Sequence, residues 1–226
     1  MIHLPFADRP EAGDSLGIEL SRRLPAEDAL VLALARGGVP VGFAVAYRLG
    51  LPLDVVVVRK LGVPWQPELA MGAIAGRARV LNEGMLAELE ISPDEVERVI
   101  AREQAEMKRR EEIYRGDRPV PYLAGRTVFL VDDGLATGST MLAAVRHARS
   151  LRAANIVVAV PVGSGDACDH LRREADEVVC LAVPEFFYAV GEWYRDFRQV
   201  GDNEVRNLLT DSRERFAKHQ AAPLAS

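Results

Sequence analysis

Thr127-Val-Phe-Leu-Val-Asp-Asp-Gly-Leu-Ala-Thr-Gly-Ser-Thr-Met-Leu142 is the stretch on which the fold of this 226-residue chain turns. Val128 to Val131 is a short apolar run, β-branched and aromatic enough to predict a buried strand. It ends in two adjacent carboxylates, Asp132 and Asp133, and a loop of small residues follows from Gly134 to Thr140. Met141, Leu142, Val145, Ala148 and Leu151 then recur at helical spacing. A strand, a loop and a helix start in this order form an anion cradle: loop amides and the helix N-terminus face the ligand, and Thr137, Ser139 and Thr140 add hydroxyl donors. Phosphate alone has no use for two neighbouring acids. A sugar phosphate does, because carboxylates accept hydrogen bonds from vicinal hydroxyls while the loop takes the phosphate.

Outward from this stretch, short apolar runs alternate with helical patterns. Ala29 to Ala35 and Leu53 to Val58 read as buried strands, ending in Arg36-Gly37-Gly38 and Arg59-Lys60. Residues 61–70, with two prolines and a glycine, read as a loop. Met71 to Ala75 and Ala78 to Leu81 suit strands joined at Gly76-Arg77; Ile156 to Val160 and Glu177 to Ala182 follow the central motif. Strand–helix alternation argues for an α/β protein with a parallel sheet. Ala12 to Arg23 is an amphipathic helix candidate with Leu16, Ile18 and Leu20 apolar. The clearest helix signal is 92–115, with Ser92 as N-cap, Pro93 next and Glu95 completing a capping box. Its charges nearly balance and its apolar stripe is incomplete. It suits a solvated helix laid across the domain or, alternatively, a homodimer contact.

Glycines at the end of a strand let backbone amides approach an anion, and Arg36 adds charge there. A dinucleotide fingerprint starting at Gly37 fails because Val39 stands where glycine is needed. A Walker A loop fails because Gly134 and Gly138 are too close together and Ser139 replaces the lysine. The net charge of −5 gives no basic field for nucleic acid or anionic membrane. Cys168 and Cys180 form no CxxC pair, and the four histidines are scattered without metal-ligand spacing. With no signal-peptide pattern and no apolar run of spanning length, the expected location is cytoplasmic.

The apolar run, the paired acids and the Gly-Leu-Ala-Thr-Gly-Ser-Thr loop resemble the phosphoribosyl pyrophosphate (PRPP) motif of type I phosphoribosyltransferases. The resemblance covers about residues 29–200 and is densest over Val128–Thr140. The helix at 92–115 is not part of the family's minimal core, which marks a divergent branch. The resemblance implies an open, mainly parallel sheet with flanking helices and a small hood subdomain. The single domain, 1–226, would divide into a core at about 27–183, a hood from about 1–24 and 184–210, and a helical insertion at about 84–115.

It also implies roles for residues. PRPP would be held by Arg36, Gly37, Gly38, Arg59, Lys60, Asp132, Asp133, Gly134, Ala136, Thr137, Gly138, Ser139 and Thr140. Asp132, Asp133, Lys60 and Glu68 would be the catalytic set, with Glu68 on a catalytic loop at 61–70. The aromatic-rich segment 184–200 would be the hood, with Phe186 or Phe187 stacking on a base. Mg²⁺ would arrive with PRPP; Asp196, one residue out of step with a metal-linked Asp of the 6-oxopurine enzymes, is the candidate side chain near it. The implied activity is transfer of ribose 5-phosphate to a nitrogenous base with release of pyrophosphate. The alternative is a non-catalytic PRPP- or nucleotide-binding regulatory module. One departure bears on the acceptor: 6-oxopurine enzymes place an Asp, acting as base, where Ala136 stands.

Overall fold

The structure, a computed structural model, describes residues 4–23 and 28–221. Positions 1–3 and 24 of the expected hood and position 27 of the expected core lie outside the described residues. In chain order the elements are α1 (Arg9–Arg23), β1 (Ala29–Ala35), α2 (Gly38–Leu49), β2 (Leu53–Val63), β3 (Gln66–Ala75), β4 (Ala78–Leu81), α3 (Glu83–Glu88) and α4 (Pro93–Arg115). β5 (Thr127–Val131), α5 (Ser139–Ser150), β6 (Asn155–Val162), α6 (Gly165–Leu171), β7 (Glu177–Ala182) and α7 (Asp202–Ala221) complete it.

β1 consists of apolar residues alone, so it has no face to give to water. Side chains alternate across a strand: Val31 and Ala33 enter one core, while Leu30, Leu32 and Leu34 enter another. β5 divides in the same way, Phe129 and Val131 against Val128 and Leu130. A sheet apolar on both faces must be covered on both. α1, α2, α4 and α7 cover the first face, through Leu16, Val45, Val99 and Leu209 among others. α5 and α6 cover the second, through Met141, Val145, Ala167 and Leu171.

The strand order is β4-β3-β2-β1-β5-β6-β7. β2, β1, β5, β6 and β7 run parallel, and β3 and β4 add antiparallel strands at one edge. The expected open, mainly parallel α/β sheet is thus the observed one. Ala35 lies beside Val57 and Ala33 beside Val131, so Arg36, Arg59-Lys60 and Asp132-Asp133 all follow strand ends on one edge of the sheet.

Two expectations need correction. Residues 61–70 are not a loop: β2 runs on to Val63 and β3 begins at Gln66, forming a hairpin arm. Pro64 sits in its turn, and Pro67 falls where the ladder register shifts between Leu61 and Val63. Proline is tolerated in a sheet at such breaks, so two prolines did not forbid the strands. α1 starts at Arg9, and its inward face is Ala12, Leu16 and Leu20; Ile18 is 36% exposed. The stripe of α4 packs on β2 and α7, so the chain itself covers it. The Ser92–Glu95 capping box is present, with Ser92 N donating to Glu95 at 3.0 Å.

Segment 183–201 has little regular structure beyond a 3-10 turn at Val190–Trp193. Instead it is laced to the start of the chain. Phe6 N donates to Trp193 O at 2.9 Å, Arg195 N to Phe6 O at 2.8 Å and Asp196 N to Ala7 O at 2.9 Å. Phe6, Ala12, Val162 and Tyr194 form a small third core beneath it. Beyond those first residues, α1 lies on α2.

Candidate active site

The end of β5 presents Asp132 and Asp133, after which the chain crosses to α5 on a pegged loop. Leu135 N donates to Val162 O and Ser164 N to Leu135 O, both at 2.9 Å, and Ser164 Oγ donates to Ala136 O at 2.7 Å. The loop is therefore fixed to the end of β6 while Ala136 and Thr137 stay exposed. Gly138 enters α5 with φ of +75°, a backbone that side-chain-bearing residues rarely adopt. As N-cap it offers no side chain to the first amides of α5, which leaves that helix end available to an anion. Thr137 Oγ1 and Ser139 Oγ lie 3.2 Å apart at the same place.

Arg36-Gly37-Gly38 leaves β1 directly against these acids; the Ala35–Arg36 peptide is cis. A Cβ on Gly37 would fall 2.1 Å from Asp133 Oδ2, and one on Gly38 would fall 2.6 Å from Val131 O. The glycines thus allow two strand ends to touch. From β2, Lys60 reaches the same cavity of about 260 Å³. Its walls bring together Arg36, Gly37, Lys60, Asp132, Asp133, Gly134, Ala136, Thr137, Gly138 and Thr140. Gly38 stands behind this wall and Ser139 at the head of α5.

Burial and the neighbouring Asp133 charge push the Asp132 carboxyl well above the usual aspartate range. Burial also raises Asp133, but the Arg9 guanidinium opposes the rise by charge and hydrogen bond. A cationic ligand, or one donating hydroxyl protons, relieves the strain of placing two acids side by side.

Other expected site residues are held elsewhere. Arg59 points to the opposite face of β2 from Lys60 and pairs with Glu103 of α4, with Nη2 2.6 Å and Nε 2.8 Å from its Oε2. Glu68 is exposed on the hairpin arm and does not line the cavity. Phe186 is 70% exposed. Phe187 stacks on Trp193, with ring centroids 6.5 Å apart and planes at 17°. Asp196 is exposed and pairs with Arg198 at 3.0 Å; its hydrogen bonds from Arg198 hold its carboxyl below the usual value. The side chain of segment 183–201 that borders the cavity is Val190, whose Cγ1 would be 2.6 Å from a Cβ on Gly134.

Sequence reading missed two polar members of the site. Arg9 Nε donates to Asp133 Oδ2 at 2.8 Å and its Nη1 to Arg198 O at 2.8 Å, while its guanidinium lies 3.9 Å from the centroid of the Phe197 ring. Tyr194 Oη donates to Asp133 O at 2.6 Å, and burial followed by the Asp133 charge holds this phenol neutral. Arg9 stands at a helix start with no motif around it; only its burial, 7% exposed, separates it from a surface arginine. A larger cavity, about 550 Å³, lies between the C-terminal halves of α2 and α7. No carboxylate lines it, so size alone does not make it the reactive site.

Among the described residues, no three His, Cys, Asp or Glu side chains gather closely enough to hold a metal ion. No described helix is long and apolar enough to cross a membrane.

The geometry agrees with the comparisons to known proteins. The family model described as phosphoribosyl transferase domain matches residues 11–198. Two Mycobacterium tuberculosis proteins, named "Putative phosphoribosyl transferase" MT0597 (strain CDC 1551) and Rv0571c (strain H37Rv), are each 45% identical over 222 residues, 98% of this chain and 50% of theirs. The chain thus spans about half the length of the curated relatives it matches. The crystal structure of TT1426 from Thermus thermophilus is 44% identical, with a TM-score of 0.76 over 91% of this chain and 98% of that one. A family match across most of the chain and two relatives at this identity show that the chain belongs to the phosphoribosyl transferase family.

Proposed function

We propose that the cleft binds PRPP and transfers its ribose 5-phosphate to a nitrogenous base, releasing pyrophosphate. The observation that supports this most directly is the single cavity in which paired acids separate two anion-holding groups. On one side are Arg36, Gly37 and Lys60; on the other are Thr137, Gly138 and Thr140. Along the sheet edge the order is β2 and β1 with the cations, then β5 with the acids, then the loop pegged to β6, and this order suits a sugar that carries a pyrophosphate at one end and a phosphate at the other. Arg59, paired with Glu103, has no part in this reading.

Asp132 and Asp133 accept from the ribose hydroxyls and favour the positive charge that develops on the ring as the C1–O bond breaks. That state is related in charge to the one in glycoside hydrolysis. Arg36 and Lys60 stabilise the departing pyrophosphate. Interactions at residues 136–140 fix the 5-phosphate and supply binding energy away from the reacting carbon. Mg²⁺ arriving with PRPP would supply charge neutralisation at the pyrophosphate, beside Arg36 and Lys60. The location proposed with this chemistry is the cytoplasm.

Ala136 sets the expected acceptor range. A methyl group takes no proton, so hypoxanthine and guanine are expected to be poor acceptors by about 10²–10⁴ in rate, the value of general-base help. Incubation with PRPP, Mg²⁺ and a panel of bases, read as pyrophosphate release, tests both points. Efficient turnover of hypoxanthine or guanine removes the Ala136 argument. A protein that does not bind PRPP by calorimetry removes the whole reading. Glu68 lies outside the cavity, and this favours keeping one second reading, a regulatory module that binds PRPP without turnover. Binding without pyrophosphate release on any base would select it.

A further inference from the structure

We propose that Arg9 is the positioning residue of the ribose-binding acids, clamping Asp133 and tying the 193–198 segment to it. The inference rests on the PRPP reading and adds to it a residue from outside the PRPP motif.

Three contacts meet on one guanidinium. Nε holds Asp133 Oδ2, Nη1 holds the carbonyl of Arg198, and the plane lies over Phe197. The Asp133 carboxylate is also pressed against Gly37, where a Cβ would collide with it at 2.1 Å. Arg9 therefore joins α1, the acid, the glycine turn and the aromatic segment in one junction. A second cavity of about 340 Å³ opens at this junction, between Arg9, Arg36 and Phe197. Asp133 is faced by Arg9 from α1, by Asp132 beside it, by Arg36 and Lys60 in the surrounding walls, and by the neutral Tyr194 phenol. Of the cations among these, Arg9 is the one that bonds its carboxylate directly; Asp132 and the Asp133 backbone add hydrogen bonds of their own. Burial favours a protonated Asp133 and Arg9 opposes this. With the cation in place, Asp133 meets the ribose held in one orientation, and its carboxyl is raised less than burial alone would raise it.

The test is PRPP affinity, measured by calorimetry with Mg²⁺ from mildly acid to alkaline pH, because burial without its cation raises the Asp133 carboxyl further. Arg9→Gln is expected to bind about tenfold more weakly at neutral pH, the scale of one charge-assisted contact. The deficit should shrink as pH rises, because Asp133 then ionises unaided. Arg9→Lys keeps the charge but not the fork; it is expected to show the unmodified pH profile with affinity lowered about two- to fivefold. Melting curves establish that each variant is folded, and the lysine variant carries the test if the glutamine variant is not. Three results overturn the proposal: an Arg9→Gln variant with unchanged affinity and pH profile, a loss equal at every pH, or a lysine variant at full affinity. An unmodified protein that fails to bind PRPP at any pH overturns the underlying reading instead.

Discussion

The loop from Asp132 to Thr140 and the segment from Pro184 to Val200 meet at one cleft, where Val190 packs over Gly134, and they are built by different rules. In the loop, function resides in consecutive residues. The strand end places the acids, small residues expose backbone amides, and the helix start orients those amides. Segment 184–200 has almost no regular structure, and the placement of its aromatics is decided by Phe6 and Arg9, far away in the chain. Phe187 is committed to Trp193, Tyr194 to Asp133 O and Phe197 to Arg9. A contiguous site follows from local chemistry, whereas a composite wall is set by long-range packing.

The largest expected effect lies on the local side. Asp132→Asn combined with Asp133→Asn removes two charged acceptors, each worth about 1.5–3 kcal/mol. PRPP affinity should fall at least about a hundredfold. Unchanged affinity in a folded double variant would break the assignment of this loop to ribose. The single variant Asp132→Asn should melt higher than the unmodified protein at neutral pH. The folded carboxyl lies above the ordinary aspartate value of 3.8, so the folded state is penalised once pH exceeds that value. The gain should grow as pH rises from there, level off above the folded carboxyl's own value, and vanish in acid, where the Asp132 carboxyl is protonated in both the folded and the unfolded unmodified protein. Melting temperature against pH reads this directly, and a gain largest in acid would contradict the sign.

The next contrast sits within two adjacent residues. Arg59→Ala leaves Glu103, 8% exposed, without its main partner, although Arg102 Nε at 3.1 Å still offsets part of the charge. A loss of about 1–3 kcal/mol in stability with PRPP affinity unchanged is the expected outcome. Lys60→Ala should do the reverse, lowering PRPP affinity about tenfold with little change in melting. Denaturant unfolding and calorimetry on the same pair of variants decide it. If Arg59→Ala is the variant that loses PRPP, the alternation along β2 does not govern the cleft.

That pair also shows where sequence reading stops. Arg59-Lys60 at a strand end was visible as two cations, and period-two alternation dictates that they diverge. Which of them meets the cleft depends on Glu103, contributed by a helix more than forty residues later. The strands themselves were readable because β1 and β5 are buried runs with clear ends, and the bounds expected for β1 and β7 are those observed. The hairpin arm was not, because prolines at a register shift look the same in sequence as prolines in a loop. Arg9 carried no local signal at all. Its role depends on a salt bridge to a residue 124 positions away.

A smaller effect is expected at the loop's hydroxyls. Thr137→Ala should cost about 1–2 kcal/mol of PRPP affinity, the value of one hydrogen bond to a charged group. The Thr137 side chain is exposed, with only Ser139 near its oxygen, so stability should barely move. Gly138→Val should cost more, because a β-branched residue resists φ of +75°. Equal tolerance of the two substitutions would show that no phosphate is held at this helix start.

The smallest effect belongs to segment 184–200. Phe186 is 70% exposed, and Phe186→Ala removes little buried area, so stability should change by less than about 0.5 kcal/mol. PRPP affinity should be equally indifferent, since the ring is absent from the cavity that holds the acids. The informative readout is the acceptor. A ring that stacks on a base in the bound state raises KM for that base when removed, leaving kcat little changed, because stacking is shared by ground and transition states. Val190→Ala is the matched control, since Val190 packs over Gly134 at the cleft wall. If Val190→Ala alters base KM and Phe186→Ala does not, the acceptor is shaped by the residue fixed over the phosphate loop rather than by the exposed ring. If only Phe186→Ala alters it, segment 184–200 must rearrange to bring that ring over the base.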